Sequence, residues 1–168
     1  MPILLEPRKF TDEIEGCESV MIVSFPVCPA ISLALKTETP VLEFFKHGIR
    51  TEAFEELIAS IRNELGDCGV RTDTFVSRLP TPLMCVWTEG QRDRLRKRAE
   101  GFDAAVVMGC SSAVHTAEHA LEGTDCKVVA GMRMKGIANA TMKINPSLTV
   151  TIEKNPVPDR HHGPPCDQ

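Results

Sequence analysis

The chain predicts an α/β fold: a three-layer sandwich on a mostly parallel, Rossmann-like sheet, with a C-terminal antiparallel hairpin or edge ribbon. Three observations carry this. Short apolar runs alternate with stretches of helical spacing, as expected when helices cover both faces of parallel strands. The run Ala104–Met108 is apolar at every position, which suits a central strand buried on both faces. After Met132 the period shortens to strand-like alternation around Asn145-Pro146-Ser147, a turn sequence that marks the hairpin.

The elements follow in order. A short helix is expected near Phe10 to Glu15, then a first strand at Ser19–Phe25. Helical segments at Pro29–Lys36 and Val41–His47 are separated at Pro40, because proline disfavours helix in the residue before it. The clearest helix is Thr51–Leu65. Its Phe54, Leu57, Ile58, Ile61 and Leu65 form one apolar stripe, Thr51 is its expected cap and Gly66 its expected stop. A second strand at Val70–Arg78 runs into the proline-broken segment 79–85. A charged helix, Glu89–Glu100, leads to the strand Ala104–Met108. The helix Ser112–Leu121 ends before Gly123, and Lys127–Ala130 supplies a fourth strand. Residues 1–154 read as a single α/β domain. Residues 155–168, with four prolines and no periodicity, read as a tail.

Composition narrows the function. With 168 residues, the chain is long enough to bury one core without staples. A formal net charge of -4 argues against a nucleic-acid face. The basic cluster Arg92, Arg94, Arg96, Lys97 and Arg98 is interleaved with acids and reads as a solvated helix face. The opening Met1-Pro2-Ile3-Leu4-Leu5 is too short for a signal peptide, and no apolar run approaches the roughly 20 residues that cross a bilayer. A cytoplasmic protein is therefore expected, with neither nucleic acid nor membrane as partner. Its seven cysteines, an odd number, then read as thiols or ligands rather than a disulfide framework.

Two of these cysteines, Cys28 and Cys110, fall where an apolar run hands over to a helical stretch. The first amides of a helix carry partial positive charge, which stabilises a thiolate. Pro29 at the first helical position would make Cys28 the N-cap, with a depressed pKa. Gly109 permits close backbone approach beside Cys110. Ser111 and Ser112 add hydroxyl donors at the same helix start, a place suited to a carboxylate, phosphate or sulfonate. Ligands of a parallel sheet gather at the carboxyl ends of its strands, so Cys28 and Cys110 are expected together at that edge. Cys85, in the irregular segment after the second strand, is placed to join them. The bland reading of each is a small buried hydrophobe.

His115, one turn from Cys110, is a candidate acid or base. With Glu118 and His119 it forms H-x-x-E-H, a metallopeptidase spacing that the rest of the chain does not support. His161, His162 and Cys166 in the tail carry ligand chemistry without a defined frame. Arg133 and Lys135, bracketed by Gly131 and Gly136, are candidate cations over an anionic substrate. Their plainer role is to protect an exposed edge strand.

Paired strand-end cysteines, one of them followed by serine after glycine, resemble those of the aspartate/glutamate racemase superfamily. The resemblance implies thiols, here Cys28 and Cys110, acting from opposite sides of a carbon acid whose carboxylate Ser111 and Ser112 would hold. It covers a few residues around each cysteine. That family has two similar α/β halves, for which this sequence reads as too short and its C-terminal hairpin region as too different, so the likeness is taken as an analogy.

The expected function is a small enzyme, a cysteine-dependent transferase, lyase or isomerase. It would use Cys28, Cys110 and His115 on a small anionic metabolite by sulfur transfer, covalent addition or proton transfer, with Ser111, Ser112, Arg133 and Lys135 binding substrate. The alternative is an iron–sulfur or other thiophilic metal centre with Cys28, Cys85 and Cys110 as ligands. A third reading is a non-catalytic interaction subunit. Homo-oligomerisation through the C-terminal region stays open in all three.

Overall fold

The computed structural model describes residues 3–37, 41–43, 51–76, 85–137, 139–144, 146 and 149–155. Among these, the elements run β1 (Ile3–Pro7), β2 (Ser19–Ser24), α1 (Val27–Thr37), β3 (Val41–Glu43), α2 (Glu52–Asp67) and β4 (Arg71–Val76). They continue with α3 (Glu89–Ala99), β5 (Ala104–Met108), α4 (Ser111–Leu121), β6 (Lys127–Ala130), β7 (Met132–Ile137), β8 (Ala140–Ile144) and β9 (Thr149–Lys154). A parallel sheet in the order β4-β2-β5-β6 forms the centre, flanked by helices. β8 and β9 form the expected C-terminal hairpin.

The strand order contains the feature that matters for chemistry. From β2 the chain moves outward to β4, then returns past β2 to β5 and on to β6. Right-handed crossovers therefore send α1 and α2 to one face and α3 and α4 to the other. The packing of α1 on α2 and of α3 on α4 agrees. The connections leaving β2 and β5 diverge to opposite faces and open a crevice between them at the carboxyl edge.

Local sequence explains most of the boundaries. β2 and β5 are buried at every position, as strands covered on both sides must be. The Thr51 side chain accepts from the Phe54 N–H at 3.2 Å and starts α2, whose Phe54, Ile58, Ile61 and Leu65 are buried. Leu57, on the edge of that stripe, is only partly buried. The helix runs through Gly66 to Asp67 and turns at Gly69, whose φ of 78° is the left-handed conformation open to glycine. A reciprocal pair of bonds between Thr88 and Gln91 caps α3.

The basic face of α3 is exposed at Arg94, Arg96, Lys97 and Arg98, as expected, and three of its cations also bond across elements. Arg96 Nε donates to the Ala120 carbonyl at 3.1 Å, Arg98 pairs with Asp73 at 2.7 Å, and Arg92 meets His119 at 3.1 Å. These bonds tie α3 to α4 and β4.

Several expected elements differ. Thr11–Glu13 is a single 3-10 turn rather than a longer helix. α1 begins at Val27, with the Ala30 N–H bonded to the Pro26 carbonyl at 2.8 Å. Cys28 therefore lies inside the first turn and is not the cap. Val41–Glu43 is a strand paired with β9, because a cross-strand partner outweighs weak local helical spacing. The rest of that segment, 44–47, lies outside the described residues, as do 77–84, which include the end of the second strand, and 156–168. β1 carries no periodic signal of its own and is held by pairing with β7 from Ile3↔Ile137 to Pro7↔Met132.

Candidate functional site

The crevice between β2 and β5 is where the cysteines meet. Cys110 is the N-cap of α4, extended at φ -80° and ψ 176°, and only 7% exposed. Gly109 beside it has no room for a side chain: a Cβ there would stand 2.5 Å from the Ala113 Cβ and 3.0 Å from the Phe25 Cβ. The glycine thus lets α4 begin close against the end of β2. Cys28 approaches from α1, packs against the same core as Cys110 and is electrostatically coupled to it. Cys85, in the segment before α3, packs against the same core and is coupled to Cys110 as well. Its carbonyl accepts the Thr116 hydroxyl at 2.7 Å, which fixes the segment before α3 to α4.

Electrostatics at the three sulfurs oppose ionisation of the outer two. Burial pushes the Cys28 thiol up, and charge on Cys110 adds to the effect, while the Ile3 N–H opposes it. Burial pushes Cys85 up to about 12, again with Cys110 and then Cys28 contributing. This corrects the expectation that its helix-start position depresses the pKa of Cys28. Desolvation of the thiolate outweighs the field of one helical turn. The six cysteines among the described residues are free thiols.

An aromatic cluster adjoins Gly109 through Phe25. Phe25 stacks on Trp87 at 4.6 Å between ring centroids and 10° between planes, and Phe75 is tilted against the same indole at 5.8 Å. Ser24, the last residue of β2, is 2% exposed, and its hydroxyl has no hydrogen-bond partner. Ser24 and the Phe25–Trp87 stack were not identifiable as site residues beforehand. The one available signal for Ser24 was a polar residue closing an otherwise apolar strand, Val20–Val23.

The remaining candidates are spread more widely. Ser111 and Ser112 are exposed at the start of α4, next to Cys110. His115 is exposed, and its Nδ1 lies 2.8 Å from Glu118. His119 is bound to Arg92, so the H-x-x-E-H run lies along an exposed helix face. Arg133 Nε contacts Glu6 at 2.5 Å and Lys135 lies 3.5 Å from the same carboxylate, so both cations are engaged by β1 on the surface. The structure thus brings Cys28, Cys85, Cys110, Ser111 and Ser112 to one edge and leaves Arg133 and Lys135 paired elsewhere. Among the described residues, no group of three or more His, Cys, Asp or Glu side chains is set to hold a metal ion, the three thiols included. No helix among them is long and apolar enough to cross a membrane.

No protein-family model matches the chain, and neither a curated protein nor a solved structure matches it.

Proposed function

We propose that the chain is a small cysteine-dependent enzyme that performs sulfur transfer or covalent addition on a small anionic metabolite. Cys110 is the nucleophile, and Cys28 and Cys85 are the thiols that assist and resolve it. The observation that carries this reading is that Cys28 and Cys110 both follow the carboxyl ends of the adjacent strands β2 and β5, at the switch point of the sheet, with Cys85 packed on the same core and electrostatically coupled to them. Ser111 and Ser112, with the free amides of the α4 terminus, offer the place for an anionic group. Of the three reactions expected from sequence, proton transfer at a carbon acid fits least. It needs a thiolate base on each side of a substrate carbon, whereas burial, with Cys110 adding to it, pushes the Cys28 thiol up. The thiophilic-metal reading has the right donor type but not a three-ligand arrangement.

A small anionic disulfide, 5,5′-dithiobis(2-nitrobenzoate), tests the assignment when added below one equivalent. Attack by Cys110 forms a mixed disulfide and releases one aryl thiolate. Attack by Cys28 or Cys85 on that mixed disulfide then releases the second, leaving a protein disulfide. Peptide mapping is expected to find Cys28–Cys110 or Cys85–Cys110, and Cys110→Ser is expected to lose both. Stable mixed disulfides confined to exposed Cys68 in the native protein would refute it.

A further inference from the structure

Ser32, on α1, ties β1 down across the turn of helix that carries Cys28. Ser32 is 4% exposed, and its hydroxyl accepts from the Leu5 N–H of β1 at 2.8 Å. The same oxygen lies 2.7 Å from the Cys28 carbonyl and 3.1 Å from the Ile3 carbonyl, and donates its one proton there. One hydroxyl thus joins the backbone of β1 to the first turn of α1. Cys28 precedes Ser32 by four residues, so the two side chains stand on one face of the helix, and that is the face β1 crosses. Ile31 and Leu35, on another face, pack instead on Val150 and Ile152 of β9. Under this cover Cys28 is partly buried.

β1 is held less firmly than the strands of the core. It lies outside the central sheet, among the described residues it pairs with β7 alone, and that ladder shifts register between Leu4 and Leu5. Leu5 is its one buried residue, whereas β2 and β5 are buried throughout. Its outer ties are exposed ion pairs: Glu6 with Arg133 and Lys135 and, just beyond the strand, Arg8 with Glu13. Surface pairs of this kind contribute little, and a segment with few buried apolar residues opens locally at less cost than the core. Ser32 supplies the buried polar tie between β1 and α1.

We infer that β1 is a strap over the first turn of α1, latched by Ser32, and that its release from an otherwise folded chain is what opens Cys28. The strap stands on the fold and does not depend on the function proposed above. If that function holds, the strap governs when Cys28 is free to act.

Timed alkylation of the full chain with iodoacetamide, read by peptide mass spectrometry, tests the latch. In the wild type, Cys28 is expected to label more slowly than exposed Cys68. Ser32→Ala leaves the Leu5 N–H without its acceptor and is expected to speed labelling of Cys28 about tenfold, the worth of one hydrogen bond, while buried Cys126 keeps its wild-type rate. Hydrogen exchange of the wild type tests the strap without any variant. The Leu5 amide is expected to exchange well ahead of the Val106 amide in β5, because β1 opens while the central sheet stays closed. A Cys28 rate that is unchanged or lower in Ser32→Ala overturns the latch. Equal acceleration of Cys28 and Cys126, or a Leu5 amide that exchanges only together with Val106, assigns the opening to global unfolding and overturns the strap. Where Ser32→Ala fails to fold, the exchange measurement alone decides. The aryl-disulfide test of function is read on Cys110, so either result can fail without the other.

Discussion

Asp103 shows how much a single side chain can organise away from the thiols. Its carboxylate accepts from the Glu18 N–H at 2.9 Å, the Ser19 N–H at 2.8 Å and the Ser19 hydroxyl at 2.9 Å, joining the starts of β2 and β5. The Ser19 hydroxyl and these two N–H groups hold its pKa below the usual carboxylate value, because they bond only the charged form. A depressed folded pKa contributes stability that is present above the unfolded value and is lost as pH falls through the folded one. Asp103→Ala is therefore expected to lower the melting temperature near neutral pH, and the gap to the wild type to close as pH drops below the ordinary carboxylate range. A gap that stays constant with pH would assign the effect to packing instead. None of this was visible in sequence, since the partners are more than eighty residues apart along the chain. The thiols were legible in type and edge but not in ionisation: the helix-start argument counted the local field and omitted the burial that only packing reveals.

At the scale of elements, α2 separates what periodicity states well from what it overstates. Five apolar residues share its stripe, yet only Phe54, Ile58, Ile61 and Leu65 are buried, and Leu57 sits on the boundary. Ile61→Ala, at a position 8% exposed, is expected to cost about 2–5 kcal/mol in denaturant unfolding, and Leu57→Ala distinctly less. Equal losses would mean that Leu57 gains cover beyond what the helix face provides. Helices with a cap and a stripe, and strands with an unbroken apolar run, were readable because their causes lie within a few residues. β3 and β1 were not, because each exists through a distant partner, β9 and β7 respectively.

Across the whole molecule, the chemistry of the two sheet edges is divided by topology. The strand order that opens a crevice at the carboxyl edge leaves the amino edge closed by backbone bonds such as Asp103 N–H to Ser19 at 3.1 Å and Lys127 N–H to Asp103 at 2.9 Å. α/β alternation made the parallel sheet legible, but the order β4-β2-β5-β6, which decides that Cys28 and Cys110 flank the same crevice, depends on packing that alternation does not encode. Cys126 lies at the closed edge, directly before β6. It is 7% exposed, and burial, with Asp103 and Cys17 contributing, pushes its pKa up to about 11. Its thiol lacks both access and thiolate character near neutral pH, so alkylation requires the edge to open. Exposed Cys68 is expected to react with iodoacetamide at once in the native protein, whereas Cys126 should react only as fast as global unfolding exposes it. In a denaturant series, labelling of Cys126 should follow the same transition as loss of secondary structure. Labelling of Cys126 well below that transition would show that β6 and the amino edge open independently of the core, against a sheet whose central strands unfold as one unit.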